Sequence, residues 1–578
     1  MNKRFIYLLL TSLSFGSVVS CDIHEVPETN VSAANFWNTV SDLRMAANYF
    51  YSTLPGLTLK DVSMDNWSTD AYPNNNGDKI SDGSRVKQAE SDDYDYYKIF
   101  QANQLIEKSQ QVLDKGGNAT QVGWYVGEAR FFRALYYFEM FKRFGGVPLI
   151  TKTMGVDDPD VYLPRASRDE VLKLIFDDLD YAASVLRTAD EINAAKEYGR
   201  ISKTGALALK SRIALFEGTR EKYHHYGDAT KHLTMAKDAA EAVISSNVHS
   251  LFTQKSTGTK GEVLNNAYFN LFQEAGDGRA NKENIVAKVY GVSRENAIVS
   301  TAVQRYYEGG TIVPTQNFVD NYLMADGLPI DKSPLYQAPD KTMTHAQYFN
   351  KKDPRMSFTL FKRGDEFISS SDYTIPHPTQ QRSGYGIRKY ANKNFWNLQA
   401  SYIDRPFIRY AEVLLNYAEA VYELNGAISD IVLNQTINAL RDRLPQINIG
   451  TDTNPNFVSM AKLSNAFVNA NGLNMQMEIR RERKVELSFE GLAYWDLIRW
   501  KTAEFELPKT LYGSYLFSEY LTEPNQKWDA STTKVNDKNY IILQDASLRR
   551  FDEKKDYLWP LPTSEIARNE KLEQNPNW

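Results

Sequence analysis

Cysteine is nearly absent: Cys21 is the only one in 578 residues. No intrachain disulfide can form, so the fold must stand on its core alone. Histidine is scarce, at 7 residues, and no H-E-x-x-H, paired C-x-x-C, G-x-x-x-x-G-K-S/T or G-x-S-x-G pattern occurs. The common zinc, phosphate-cradle and nucleophile-elbow chemistries are therefore without a sequence basis. Excess positive charge is missing too. The formal net charge is -5 and no basic cluster stands out, which argues against nucleic acid as a partner. Past the N-terminus no apolar run approaches the roughly 20 residues of a spanning helix, so the body of the chain is expected to be soluble.

What is present begins at the first residue. MNKRFIYLLLTSLSFGSVVSC has Lys3 and Arg4 as a basic start, an apolar run from Phe5 to Phe15, and small residues from Gly16 to Ser20. That order predicts a secretory signal peptide over 1–20. The Val-Val-Ser-Cys ending is similar to a bacterial lipobox, with Cys21 as the residue that becomes lipidated. Residues 21–34 are polar, contain Pro27 and read as a lipidated tether.

Hydrophobic residues make up 42% and charged residues 24%, ordinary for a chain with an extensive core. Apolar periodicity predicts helices near 35–54, 97–113, 122–144, 168–186, 204–218 and 229–245. Gly145, Gly146 and Pro148 stop the third. ALALKSRIALFEG followed by an Ala-rich helix is similar to a tetratricopeptide pair. Residues 61–97 interrupt the pattern with Asn, Asp, Ser, Gly and Pro. The expected division is an N-terminal helical region 35–250 with the insertion 61–97, a loop-rich region 251–405, and a C-terminal helical region 406–578 with an irregular tail. Short strands are expected at 285–290 and 388–390.

The densest stretch is 478–500, EIRRERKVELSFEGLAYWDLIRW. A helix reaching Phe489 and ended by Gly491 is expected, then a second amphipathic turn. Buried charges must be paired, so Glu486, Glu490 and Asp496 are expected to bond the neighbouring arginines. Arg480, Arg481, Glu486, Leu487, Phe489, Glu490, Gly491, Trp495, Asp496, Leu497, Arg499 and Trp500 make this stretch resemble the C-terminal signature of the SusD/RagB family of outer-membrane nutrient-binding lipoproteins. Ala493 departs from it, standing where a basic residue is common. RALYYFEMFKRFGGVPLI, PTQNFVDNYLMADGLPI, RPFIRYAEVLLNYAEA and YLWPLPTSEIARNEKLEQNPNW are similar to family blocks in family order, so the resemblance spans the mature chain.

The resemblance implies a mainly α fold: a tetratricopeptide-like helical scaffold of about four helix pairs packed against an irregular, loop-rich domain with few short strands. It implies a cell-surface, outer-membrane lipoprotein that captures glycan and delivers it to a SusC-like TonB-dependent transporter, with no bond made or broken. Peptide capture in the same import system is the alternative. An all-helical glycoside hydrolase is a more distant one, with Asp92, Asp93, Glu486 and Glu490 as the carboxylates to examine.

A sugar ring has apolar C–H faces and a rim of hydroxyls, so a binder needs flat rings beside Asn, Asp or Arg. Residues 61–97 supply Trp67, Tyr72, Tyr94 and Tyr96 with Asn74 and Arg85, and the middle of the chain supplies Tyr306 and Trp396. Those eight are the expected ligand-binding set, with Trp67 as a solvent-facing platform. The resemblance points to the same region, ahead of the helix carrying Asn103. No cofactor is expected. Calcium is the one ion considered, at Asn74, Asn75, Asn76, Asp78 and Asp82, whose spacing is no EF-hand. His224, His225 and His232 are expected at solvated helix ends.

Overall fold

A computed structural model describes residues 36–73, 77–155, 157–291, 300–368, 372–396 and 400–578. The expected signal peptide, the tether with Cys21, and Asn74, Asn75 and Asn76 lie outside the described residues.

Helices Val40–Ser52, Tyr97–Asp114, Ala119–Phe144, Arg168–Val185, Lys203–His224, Ala229–Ser245, Tyr410–Asn425 and Met475–Glu486 form the scaffold. From Tyr97–Asp114 onward each packs against the next in this order, and Val40–Ser52 packs on both of the two that follow it. They fall into four successive pairs, as a tetratricopeptide-like array requires. Local chemistry sets their ends. Asn118 accepts the Gln121 N–H at 3.1 Å to start the 26-residue helix, and Gly145, at φ 77°, ends it. Ser167 and Glu170 form a reciprocal capping box on the helix that follows.

The loop-rich region is one excursion between the third and fourth pairs. It leaves along the strand Asn284–Lys288 and returns along Arg405–Arg409, which pairs antiparallel with it and runs directly into the helix Tyr410–Asn425. Among the described residues every sheet has only two strands. One core fills the helices around Phe132, Phe141 and Leu209, and a second fills the loop-rich region around Tyr268, Phe318, Tyr385 and Phe517.

Three expectations are corrected. Residues 388–390 form no strand; Ile387 makes a single bridge to Leu360 before the chain turns. The helix Met475–Glu486 ends before Phe489, which takes φ 56°, and Gly491 at φ 79° sits in the link to the next helix. His232 is buried and its Nδ1 bonds Glu221 at 2.7 Å, so it is not at a solvated end.

The stretch 478–500 is paired, though largely with distant partners. Glu486 meets Arg409 at 2.7 Å and Arg355 at 2.9 Å, and also bonds Arg443. Glu490 meets Arg409 at 2.8 Å and Lys389 at 2.9 Å. Asp496 does bond its neighbours, Arg483 at 2.9 Å and Arg499 at 2.8 Å. Burial alone would raise the Glu490 carboxyl, yet Arg409 and Lys389 hold it down at about 2. Removing one member strands a buried charge. Glu490→Ala and Arg499→Ala should each lose about 3–5 kcal/mol in chemical denaturation. Lys462→Ala, which breaks a pair left 57% and 52% exposed, should lose less than about 1 kcal/mol. Equal losses at all three positions would contradict this account.

Candidate functional site

A basin of about 520 Å³ lies on the loop-rich side. Its lining comes from Phe367 and the stretch 372–381, from the start of the loop after helix Ser518–Thr522, and from Glu308 at the end of helix Val303–Glu308. Its aromatic wall is rigid. Phe361 stacks on Tyr373 with centroids 5.0 Å apart, and Phe367 stands edge-on to both. Tyr373 also donates to Gln381 Oε1 at 2.9 Å, which fixes the amide at the floor. Asp372, His377, Gln380, Asn525 and Gln526 supply a polar rim. Flat rings beside amides and carboxylates are what a polyol with apolar faces needs.

Two nominated residues, Trp396 and Tyr306, lie next to this basin without lining it. Trp396 Nε1 donates to Glu308 at 2.7 Å, and the Arg305 guanidinium lies 4.0 Å over the Trp396 ring. One face of the indole is thus covered and its edge is pinned to the basin. Tyr306 follows Arg305 on the same short helix and is half-buried against the second core. Arg305, Glu308, Phe367 and Gln381 were not nominated. The same excess of aromatic and amide residues that singled out 61–97 is visible in SSSDYTIPHPTQQRSGYGIRKYANKNFW.

The other nominees are elsewhere. Trp67 is 9% exposed, its ring edge-on to Tyr494, Trp495 and Trp559 at 5.8, 6.3 and 5.3 Å. The expectation of a solvent-facing ring is corrected: the short 3-10 turn Met64–Trp67 inserts it into the main core. Tyr72 is buried, opposite Val313 in a two-stranded ladder and beneath Arg382 at 4.6 Å. Tyr94 packs on Phe144 and Tyr96, and Tyr96 donates to the Pro148 carbonyl at 2.8 Å. Arg85 lies between Trp559 and Trp578, 4.9 and 5.1 Å from their centroids. Rings and cations alternate there, since Arg143 also lies 5.2 Å over Trp495 and 5.1 Å over Trp559. The acids considered for calcium cap turns instead, Asp78 receiving the N–H groups of Ile80 and Ser81 and Asp82 that of Ser84.

A family model described as the SusD family matches residues 272–578, and one described as starch-binding associating with outer membrane matches 33–215. The chain belongs to the SusD family. A SusD-like protein of Formosa agariphila is 27% identical over 522 residues, covering 86% of this chain and 91% of the relative. The crystal structure of a SusD-like carbohydrate binding protein from Bacteroides fragilis superposes with a TM-score of 0.70 at 22% identity, covering 93% of this chain and all of the other. A crystal structure with xylogluco-oligosaccharide gives 0.58 at 17% identity, covering 92% and 97%.

In this SusD-family chain several signature residues are held in ion pairs or ring contacts. Glu486, Glu490 and Asp496 are buried and ion-paired, and Trp495 joins the pile that holds Trp67. Truncating Trp67 removes a core ring, and such changes cost about 3–5 kcal/mol. Trp67→Ala should therefore lower the denaturation midpoint while ligand affinity per folded molecule stays within twofold. A variant that melts like the wild type would return the ring to the list of binding residues.

Proposed function

We propose that the chain is a cell-surface glycan-binding lipoprotein that holds oligosaccharide in the basin beside Trp396 and passes it to a SusC-like TonB-dependent transporter. The observation that carries the reading is the basin itself, a rigid aromatic wall facing amide and carboxylate side chains. Family membership and the carbohydrate-binding relative support it. Hydrolysis is disfavoured by the acids considered for it. A glycosidase needs a carboxylic acid with a raised pKa. Burial would raise Glu486, but Arg443, Arg409 and Arg355 hold it far below the usual range. Asp93 is likewise lowered despite burial, by Arg143 and Lys60.

Isothermal titration against panels of neutral oligosaccharides and of peptides, with product analysis, tests the reading. Trp396→Ala should weaken glycan binding at least about tenfold, the 1.4 kcal/mol scale of an aromatic contact. Saturable peptide binding with no glycan heat would replace glycan by peptide, and released sugar products would make the protein an enzyme.

Anchoring through Cys21 is part of the proposal. Cys21→Ala should move the protein out of the outer-membrane fraction, and unchanged fractionation would refute the anchor.

A further inference from the structure

Across the helix Ser518–Thr522 from the basin lies a second pocket of about 230 Å³. The two are neighbours. Glu519 accepts the His345 N–H at 2.6 Å and Ser518 donates to the Lys341 carbonyl at 2.8 Å on the pocket side, while Glu523, just past the helix, lines the basin. A five-residue helix spans only about 7.5 Å.

Their linings have opposite charge. Among the described residues, the basin is lined by Glu308, Asp372 and Glu523 and by no lysine or arginine. The pocket is lined there by Lys351 and Lys352 and by no carboxylate; its other polar groups include Gln337, Thr342, Gln347 and Asn350. Lys352 is the unusual member. It is 4% exposed, and its Nζ has no hydrogen-bond partner. The ammonium lies 3.2 Å from the centroid of Tyr348 and 5.5 Å from that of Tyr336. Rings attract a cation but offer no acceptor, so its donors stay unsatisfied, a costly state for a buried charge. Asp320 is the acid that acts on it through space, and that carboxylate already accepts Gln316 Nε2 at 2.6 Å. Burial pushes the amine down to about 7. The Tyr348 hydroxyl accepts from Gln316 Nε2 at 2.9 Å.

We infer that the pocket around Lys352 receives the carboxylate of an acidic sugar residue, a hexuronate, on a glycan chain that also occupies the basin. The inference rests on the proposed glycan binding and narrows its class. A carboxylate supplies the acceptors that Lys352 lacks, through a charge-assisted bond. Gln347, whose Oε1 is taken by the Thr344 N–H at 2.8 Å, keeps its amide donors for ring hydroxyls. The volume is below the roughly 300–1,000 Å³ of most small-molecule pockets, which suits one sugar residue rather than a whole oligosaccharide.

The test is isothermal titration with an otherwise neutral oligosaccharide carrying a single hexuronate and with the same chain after carboxyl reduction to its neutral form, each in the wild type, in Lys352→Met and in Lys351→Gln. The wild type should bind the acidic chain at least tenfold more tightly than the reduced one. Lys352→Met should abolish that preference while binding the reduced chain like the wild type, and Lys351→Gln should cut it at least threefold. If Lys352→Met does not fold, judged by its melting curve, the wild-type preference and the Lys351→Gln variant decide. Equal wild-type affinity for the two chains overturns the inference and leaves glycan binding intact. No binding of either chain or of any neutral oligosaccharide removes the glycan reading, and the inference with it. Competition by free acetate as effective as by galacturonate makes the pocket a general anion site and also overturns it.

Discussion

Three guanidinium groups converge on one carboxylate that water cannot reach. Arg355 comes from the loop-rich excursion, Arg409 from the strand by which that excursion returns, and Arg443 from the chain after the helix at 437–442. Glu486, at the end of the last scaffold helix, receives all of them. Glu283, beside the outgoing strand, meets Arg409 and Arg443 at 2.9 Å each. A buried charge tolerates few arrangements, since each lost partner costs several kcal/mol. The loop-rich region has little regular structure to orient it, and these bonds fix its two ends against the helical array.

The aromatic pile does the same for the C-terminal tail. Arg143, on a scaffold helix, faces Trp495 and Trp559, and Arg85 from the insertion lies between Trp559 and Trp578. Rings that in a polar, turn-rich stretch looked like a ligand platform are therefore joints between remote segments. The described residues of the insertion are held largely by what closes over them.

The helices were legible because their information is local. Periodicity and Gly145 place the helix Ala119–Phe144 at its end and to within three residues at its start, where the Asn118 cap was not read. The need for ion pairs at Glu486 and Glu490 was legible from burial chemistry, but the identity of Arg355, Arg409, Arg443 and Lys389 was not, because nothing local links residues that far apart in the chain. Trp67 failed for the same reason: its neighbours Tyr494, Trp495 and Trp559 belong to the other end. Tyr306 and Trp396 were named from the aromatic content of the middle of the chain, whereas the basin near them depends on Glu308, Phe367 and Gln381 meeting across segments that carry no periodic signal.

The joint between the insertion and the tail bears on the order in which the molecule can be assembled. Arg85 donates to the carbonyl of Asp556, 471 positions further along, and Arg549 reaches back 468 positions to Ser81. Contacts of that separation form late, because the intervening chain must be ordered first. On a chain made from its N-terminus, Trp67 lacks its ring partners Tyr494, Trp495 and Trp559 until almost the whole polypeptide has been synthesised. Until then that part of the aromatic pile stays open, and exposed apolar surface of this kind makes incompletely folded chains prone to aggregate.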